Sequence, residues 1–318
     1  MKKFLAVLLT AAMSVCLLAG CGEKNKVYNV GICQLVEHPA LDAATQGFKD
    51  ALTEKLGAEK VKFDEQTAQG EAATCATIVN QFVASNVDLM MTNATAPLQA
   101  AAASTVTIPI LGTSVTDYAT ALDIDNWNGF TGRNISGTSD LAPLSEQAAM
   151  LNELFPESKK VGIFFCSAEA NSQYQADVMK AELEKLGKEV SFYTFVDTND
   201  VTAVTRKAAE ENDVLFVPTD NTAASNTGAI YNVISELKVP VVAGEEGICA
   251  GCGVATLSIS YYDIGYTTGL MAYEILANGK DVKDMEIQYA PQVTKKYNKA
   301  LCDELGVAVP ADYVAIEN

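Results

Sequence analysis

Histidine and positively charged residues are scarce in this sequence. Only one of the 318 residues is a histidine, His38. Because imidazole is the usual proton carrier of enzymes and a common metal ligand, this scarcity disfavours an enzyme and a metal site. The 22 lysines and arginines are outnumbered by 40 aspartates and glutamates, which gives a net charge of -18. That charge argues against a nucleic-acid partner, since a phosphate backbone must be met by positive side chains.

Linkers, repeats and nucleotide motifs are also lacking. The chain has no tract rich in proline, glycine or serine, no short-period repeat and no G-x-x-x-x-G-K motif, so any ATP hydrolysis must belong to another chain. Hydrophobic residues make up 49% of the sequence, and charged residues make up 19%. This composition provides a sizeable core and excludes a disordered chain, and the length suits about two domains.

The amino terminus has the pattern of an export signal. Two lysines precede an apolar run, FLAVLLTAAMSVCLLA, at residues 4–19, which is short for a membrane span and typical of a signal peptide. The run leads into the tetrapeptide LAGC, which ends at Cys21 and resembles a bacterial lipobox. We predict a signal peptide at 1–20, a lipid on Cys21 and a tether at 21–27, which would anchor the protein outside the bacterial cell membrane. An ordinary signal peptide that contains a cysteine is the alternative.

Eight cysteines are scattered along the chain. Six remain after Cys16 and Cys21 are assigned to the signal and the lipid, and they are too scattered for a disulfide framework. Cys249 and Cys252 have C-x-x-C spacing, but the sequence offers neither a second pair of zinc ligands nor a thioredoxin context. A disulfide between them and two free thiols are both open, since exported thiols tend to oxidise. Three others lie in apolar runs and are predicted to be core residues: Cys33, Cys75 and Cys166.

The remainder of the chain shows two rounds of alternating strand and helix patterns. The strands are β-branched apolar runs, and the helices carry apolar residues at i, i+3 and i+4. In the first round, strands are predicted at 28–35, 61–65, 87–92 and 109–113, and helices at 39–56, 71–85 and 96–104. After a helix that ends at Phe155, the second round has strands at 160–166, 190–194, 214–218 and 239–243, and helices at 171–187, 201–212 and 222–238.

This alternation predicts an α/β protein made of two doubly wound parallel-sheet lobes. Three later segments belong to neither round: a helix at 262–279, a strand at 285–290 and a helix at 297–305. We therefore expect the chain to return to the first lobe and then to the second. The predicted lobes comprise residues 28–158 with 262–290, and residues 159–261 with 291–318. Several crossovers would form a hinge, and the cleft would face the carboxyl ends of the strands, where such sheets bind ligands.

Small polar side chains follow the strands on both sides of this cleft. They lie next to predicted helix N-termini, whose free N–H groups favour an anion such as a carboxylate. Asp220 would make a charge-assisted hydrogen bond with an ammonium group. Such residue types are also the favoured N-caps, so capping, ligand contact or both remain open for each of them. The candidate ligand-binding residues are Gln34, Glu37, Asn93, Thr95, Ser114, Thr116, Asp117, Asn171, Ser172, Asp220, Asn221 and Glu245.

A histidine and several aromatic residues lie near these loops. Pro39 follows Glu37 and His38 and indicates a helix start, so we expect Glu37 to cap the helix or contact the ligand, and His38 to pack. A catalytic pair is disfavoured because no third member is present. The aromatic residues near the cleft are more typical of a core than of a ring pocket: Trp127, Phe164, Phe165, Tyr174 and Tyr261.

Six blocks of the sequence resemble the ABC-transporter substrate-binding lipoproteins of the family that includes the tryptophan-binding TrpX proteins. The blocks are VGICQLVEHPALDAATQGFKDAL (30–52), NISGTSD (134–140), SAEANS (167–172), VPTDNTAAS (217–225), VAGEEG (242–247) and ATLSISYYDIG (255–265). The resemblance implies the type I periplasmic-binding-protein fold and the capture of an aromatic amino acid, namely tryptophan, phenylalanine or tyrosine. It also implies that the loops at 93–95 and 114–117 hold the ligand carboxylate and that Asp220 with Asn221 holds the ammonium. The rest of the site would be lined by Gln34, Asn171, Ser172 and Glu245.

The resemblance also implies the partners. Closed lobes would be recognised by a membrane permease that works with a separate ATPase, and we expect a monomer without a cofactor. A sensory binding protein for a small amino-acid-like or other apolar ligand is the alternative function, and an extracellular enzyme is a further one. A transcriptional regulator on the same fold is disfavoured because the lipobox stands where a DNA-reading domain would be.

Overall fold

The computed structural model describes residues 26–316, so the predicted signal peptide and Cys21 lie outside it. Its strands are β1 (Tyr28–Gln34), β2 (Val61–Thr67), β3 (Leu89–Asn93), β4 (Ile110–Val115), β5 (Ile135–Ser139), β6 (Lys160–Cys166), β7 (Glu189–Phe195), β8 (Val214–Val217), β9 (Val241–Ala243), β10 (Ala255–Ser258), β11 (Gln288–Tyr289), β12 (Thr294–Tyr297) and β13 (Val314–Ala315). Its α-helices are α1 (Pro39–Leu56), α2 (Ala72–Ala84), α3 (Thr95–Ser104), α4 (Tyr118–Leu122), α5 (Leu144–Leu154), α6 (Ala170–Lys185), α7 (Val201–Glu211), α8 (Asn221–Ala224), α9 (Thr227–Leu237), α10 (Glu246–Cys252), α11 (Tyr261–Leu276) and α12 (Lys299–Leu305).

Two separate sheets form the two lobes, which confirms the predicted fold class. The first sheet has the order β11-β5-β4-β3-β1-β2, and all its neighbours are parallel. The second has the order β13-β12-β10-β9-β8-β6-β7, and only the β10–β12 pair is antiparallel. Central strands such as β3 and β8 are buried along their whole length because helices cover both faces of each sheet. The chain passes between the lobes after β5, after β10 and after β11.

Strand β5 is an element that the sequence patterns do not predict. Its sequence, ISGTS, lacks an apolar run, yet all five residues are buried. The hydroxyl groups are satisfied inside the lobe: Ser136 donates to the carbonyl of Met285, and Thr138 lies 2.8 Å from the hydroxyl of Thr268. Burial of these hydroxyl groups is tolerated because each has a hydrogen-bond partner. The strand brings Asp140, which follows it, to the cleft.

Several segments depart from the predicted pattern. Helix α5 lies within the range assigned to the first lobe, but its buried face joins the core of the second sheet. Helix α5 therefore packs in the second lobe and not in the predicted one, because an amphipathic pattern shows that a face is buried and not which core covers it. The predicted helix at 222–238 is divided into α8 and α9, and the predicted strand at 285–290 is reduced to the two residues of β11.

The cysteines within residues 26–316 are free and buried. Cys249 and Cys252 both lie on α10, where their thiols donate to the carbonyls of Gly253 and Ile248. The C-x-x-C spacing therefore corresponds to one helical turn packed in the second core, and no disulfide joins the pair. In the same part of the chain, no group of three or more potential metal ligands occurs, and no helix is long and apolar enough to cross a membrane.

Helices α1 and α11 pack closely because glycines face the partner backbone. A Cβ added at Gly265 would overlap the main-chain carbonyl of Ala44, and one added at Gly47 would overlap that of Tyr262. These two contacts attach the returning helix α11 to the first lobe. The close approach requires residues without a side chain.

Replacement of Gly265 by alanine is expected to lower the free energy of unfolding by about 2–3 kcal/mol, because the helices must separate to make room for the methyl group. Urea denaturation measures the change. Gly228→Ala is the matched control: Gly228 also lies in a helix, but no atom lies within 4 Å of its added Cβ. Equal stability of the two variants would contradict the packing described here.

Candidate functional site

A small, nearly filled cavity lies between the two lobes. It sits at the carboxyl ends of the central strands, as expected for an open α/β sheet. The first lobe contributes His38, Leu41, Ser114, Thr116 and Asp140; the second contributes Asn171, Thr219, Asp220, Asn221, Ala224 and Glu245; and Tyr261 completes the wall from a crossover. The lining contains acidic and neutral polar groups but neither lysine nor arginine.

Ser114 is the most unusual residue of the first-lobe wall. Its backbone adopts a φ of 54°, a left-handed conformation that is uncommon for residues other than glycine. The register of β4 against β5 shifts at this point, between Gly112 and Val115. The Ser114 hydroxyl is buried and has no hydrogen-bond partner. A strained backbone and an unsatisfied buried hydroxyl at a cavity are typical of a ligand contact.

Asp220 and Glu245 form the acidic wall of the second lobe. Asp220 accepts hydrogen bonds from the main-chain N–H of Cys166 at 2.7 Å and of Ala223 at 2.8 Å, and so caps α8. Glu245 caps α10 in the same way through Gly247 and Ile248. Burial raises the pKa of Asp220 to about 8, with a further contribution from Glu169, and burial raises the pKa of Glu245 to about 7.

A third carboxyl group, that of Asp140, faces the same cavity. It accepts hydrogen bonds from the hydroxyls of Thr116 at 3.1 Å and Tyr261 at 2.9 Å. Burial raises its pKa above the usual range for an aspartate. Three buried carboxyl groups without a basic partner would be compensated by a cation that enters the cavity.

Two side-chain hydrogen bonds join the lobes directly beside the cavity. Nε2 of His38 lies 3.3 Å from Oδ1 of Asn221, and Nε2 of Gln175 donates to the hydroxyl of Thr116 at 3.3 Å. Each pair links a residue of the first lobe to a residue of the second. The lobes are therefore in contact, and the structure has a closed cleft.

Six of the twelve predicted ligand-binding residues line this cavity: Ser114, Thr116, Asn171, Asp220, Asn221 and Glu245. Thr95 and Asp117 lie beside it, in a narrow crevice that is also lined by Asn171 and Tyr174. Asp117 caps α4 by accepting from the main-chain N–H of Thr120. The capping interpretation therefore holds for Asp117, Asp220 and Glu245, and contact with a ligand is an additional proposal for them.

The other four predicted residues do not line the cavity. Glu37 is exposed, because the chain turns there and directs the next residue, His38, inward. Gln34 and Asn93 form a buried network in which Asn93 donates to the carbonyl of Leu41 at 2.7 Å, and this network supports the start of α1. Ser172 is buried beneath Asn171 and is within 3.2 Å of its amide nitrogen. Gln34, Asn93 and Ser172 therefore lie behind the wall rather than on it.

Several residues of the wall are not predicted from the sequence. His38 was expected only to pack, and Asp140, Thr219 and Tyr261 were not among the candidate ligand-binding residues. One feature of the sequence could have identified Asp140: it is an acidic residue at the end of the NISGTSD block, directly after a hydroxyl-rich segment. For Tyr261, no local pattern distinguishes a wall residue from a core residue.

Most of the aromatic candidates are core residues. Phe164 stacks on Phe195 with ring centroids 4.6 Å apart, and Phe165 meets Phe192 edge-on at 5.5 Å. Trp127 packs against the core of the first lobe. Tyr174 and Tyr261 are the two aromatic candidates that border the cavities.

A wider groove lies beside the crossovers and shares Glu245 and Tyr261 with the cavity. Two of its charged groups are paired with each other: Glu246 accepts from Lys296 at 2.6 Å, and also from Ser258 at 2.9 Å. The unsatisfied hydroxyl of Ser114 and ring nitrogen of His38 belong instead to the central cavity. Unmet hydrogen-bonding capacity therefore favours the central cavity as the ligand site.

Two doubly wound lobes that close on a buried polar cavity define a bilobed solute-binding protein of the type I periplasmic kind. The chain belongs to the family of ABC transporter substrate binding proteins, whose model matches residues 29–316. It is similar to a tyrosine-binding protein of Clostridioides difficile (strain R20291), with 33% identity over 302 residues, 90% of this chain and 87% of that protein.

Solved structures show the same relationship. The ABC domain in complex with L-Trp from Streptococcus pneumonia is 28% identical with a TM-score of 0.86, and the match covers 90% of this chain and 97% of that one. The ligand-free, open structure of CD0873 from Clostridium difficile is 34% identical with a TM-score of 0.69, covering 92% and 100%. A leucine-binding protein of Thermotoga maritima, at 13% identity and a TM-score of 0.60, shares the fold.

Proposed function

We propose that this protein is the extracytoplasmic binding component of an ABC importer and that it captures one free aromatic amino acid between its lobes. The observation that carries the proposal is the buried cavity, in which three carboxyl groups and an unsatisfied serine hydroxyl meet without a lysine or an arginine. The relatives that bind tyrosine and L-Trp support the aromatic class. The protein binds its ligand without chemical turnover.

The two lobes offer one partner for each charge of a zwitterionic amino acid. The Ser114 hydroxyl and the N-terminus of α3, which begins at Thr95, would hold the carboxylate in the first lobe. Asp220 of the second lobe would meet the ammonium group when the lobes close. Since the ligand then contacts both lobes only in the closed state, it shifts the equilibrium toward closure.

The proposal also covers the location of the protein and its partners. Cys21 would carry the lipid that holds the protein at the outer face of the cell membrane, after removal of residues 1–20. A permease would recognise the closed lobes, and a separate ATPase would drive transport. We further propose that the protein works as a monomer and without a cofactor.

Calorimetry with a set of related ligands tests this function. Tyrosine, phenylalanine and tryptophan are the amino acids to compare, and tyramine, which lacks the carboxylate, is the matched control ligand. We expect at least one of the amino acids to bind at a ratio near 1:1 and tyramine to bind at least about tenfold more weakly, since a charge-assisted hydrogen bond contributes about 1.5–3 kcal/mol. Equal affinities for tyrosine and tyramine would contradict a carboxylate site, and failure of all three amino acids to bind would overturn the proposal.

A further inference from the structure

His38 occupies an unusual position in the cavity wall. It is the single histidine of the chain, and it lies at the N-terminal end of α1, directly before Pro39. Only 7% of its surface is exposed. Its Nε2 atom faces Asn221 across the cleft at 3.3 Å, whereas its Nδ1 atom is buried without a hydrogen-bond partner.

The orientation of the Asn221 amide is set from the other side by Glu169. The Asn221 Nδ2 atom donates to Oε2 of Glu169 at 2.6 Å, and the main-chain N–H of Asn221 donates to the same oxygen at 3.0 Å. The other carboxylate oxygen accepts from Thr222 through its main-chain N–H and its hydroxyl. Because a carboxylate only accepts hydrogen bonds, the amide nitrogen faces Glu169 and the amide oxygen faces His38.

This orientation fixes the tautomer of the imidazole. Burial lowers the pKa of His38, so the ring is neutral at neutral pH, with one nitrogen as donor and the other as acceptor. Since the Asn221 oxygen can only accept, Nε2 must carry the proton. Nδ1 is then an acceptor without a donor, and it belongs to a residue that lines the cavity.

We propose that Nδ1 of His38 accepts a hydrogen bond from the ammonium group of the bound amino acid, with Glu169 and Asn221 as positioning residues that hold the required tautomer. This inference rests on the proposed function. The lone pair on Nδ1 repels a carboxylate and attracts a hydrogen-bond donor. An ammonium group has three N–H bonds and can donate them to different acceptors. It can therefore contact His38 in the first lobe and Asp220 in the second at once, which makes His38 a specificity-determining residue for the amine.

Nuclear magnetic resonance of the single histidine tests this directly. The full chain is produced with ¹⁵N-labelled histidine and without an added histidine tag, so that one imidazole is observed. At saturation with tyrosine, when the lobes are closed, we expect a neutral ring with its proton on Nε2 and an Nδ1 resonance that has moved from its position in the ligand-free protein. A proton on Nδ1, or an Nδ1 resonance that does not move at saturation, would overturn the inference while leaving the proposed function intact. Absence of any calorimetric binding would instead count against the function.

Two substitutions separate the ring nitrogens. In His38→Gln the amide nitrogen replaces Nε2 and the acceptor at Nδ1 is lost, whereas in His38→Asn the amide oxygen replaces Nδ1. We expect His38→Gln to weaken binding of tyrosine and phenylalanine alike by about tenfold, and His38→Asn to stay within about threefold of the parent protein, the scale of one net hydrogen bond. A loss confined to tyrosine would assign His38 to the phenol and overturn the ammonium contact, as would unchanged binding by His38→Gln.

The positioning role of Glu169 has its own readout. Glu169→Gln offers Asn221 a side chain that can both donate and accept, so the amide is no longer held in one orientation. The spectrum of the tyrosine-saturated variant should then show some protonation of Nδ1. A pure Nε2–H tautomer in Glu169→Gln would contradict the role given to Glu169.

Discussion

Replacement of Asp220 by alanine is expected to weaken tyrosine binding by about thirtyfold or more. The carboxylate is buried in the cavity wall, and removal of one partner from a buried charged pair costs about 2 kcal/mol or more. Calorimetry at neutral pH measures the dissociation constant. Because Asp220 also caps α8 and accepts from Cys166, thermal unfolding of the ligand-free variant must be measured alongside.

The matched control is Asp213→Ala. Asp213 lies just before β8, at its opposite end from Asp220, and also accepts two main-chain hydrogen bonds, from Lys159 at 2.7 Å and Lys160 at 2.9 Å. These bonds lower the pKa of Asp213 and so favour its ionised form. Asp213→Ala should cost stability without a change in affinity. Equal losses of affinity in the two variants would show that Asp220 acts only as a structural cap.

Affinity for the amino acid should rise by about tenfold from pH 6 to pH 8. In the closed cleft, burial raises the pKa of Asp220 to about 8 and that of Glu245 to about 7, so protons are bound there near neutral pH. An ammonium group favours the ionised carboxylates and lowers their pKa values, so binding releases protons and strengthens as the pH rises through this window. Each unit of pKa shift corresponds to about 1.4 kcal/mol of coupling.

Calorimetry in buffers of different ionisation enthalpy tests this linkage, because released protons are taken up by the buffer. The apparent enthalpy of binding should vary with the buffer near pH 7, and Asp220→Asn with Glu245→Gln should remove most of the variation. A dissociation constant that falls with decreasing pH, or an enthalpy independent of the buffer, would contradict a cation next to these carboxyl groups.

The fold was predictable because its signals are local. Parallel strands buried on both faces must be apolar, so β3 and β8 are visible in the sequence. Strand β5 is not, because its hydroxyl groups are satisfied by partners such as Met285 and Thr268, which lie about 130 or more residues away. The lobe to which α5 belongs likewise depends on tertiary packing, since the core of either lobe could cover its apolar face.

The candidate site was predictable to the extent that strand ends identify it. Ser114 and Asp220 follow recognisable strands, so sequence order places them at the cleft. His38 and Asp140 were missed for different reasons. The inward direction of His38 depends on a turn after β1 and on the meeting of two lobes, and the position of Asp140 depends on the unpredicted strand β5. Conversely, Glu37 has the right chemistry but faces solvent.

A crystal structure of the protein with tyrosine tests the central claim most directly. We predict closed lobes and one ligand in the cavity, with its carboxylate near the hydroxyl of Ser114 and its ammonium near Asp220 and Nδ1 of His38. Tyrosine bound in the groove beside the crossovers, or bound in the cavity with its carboxylate toward Asp220, would contradict the account.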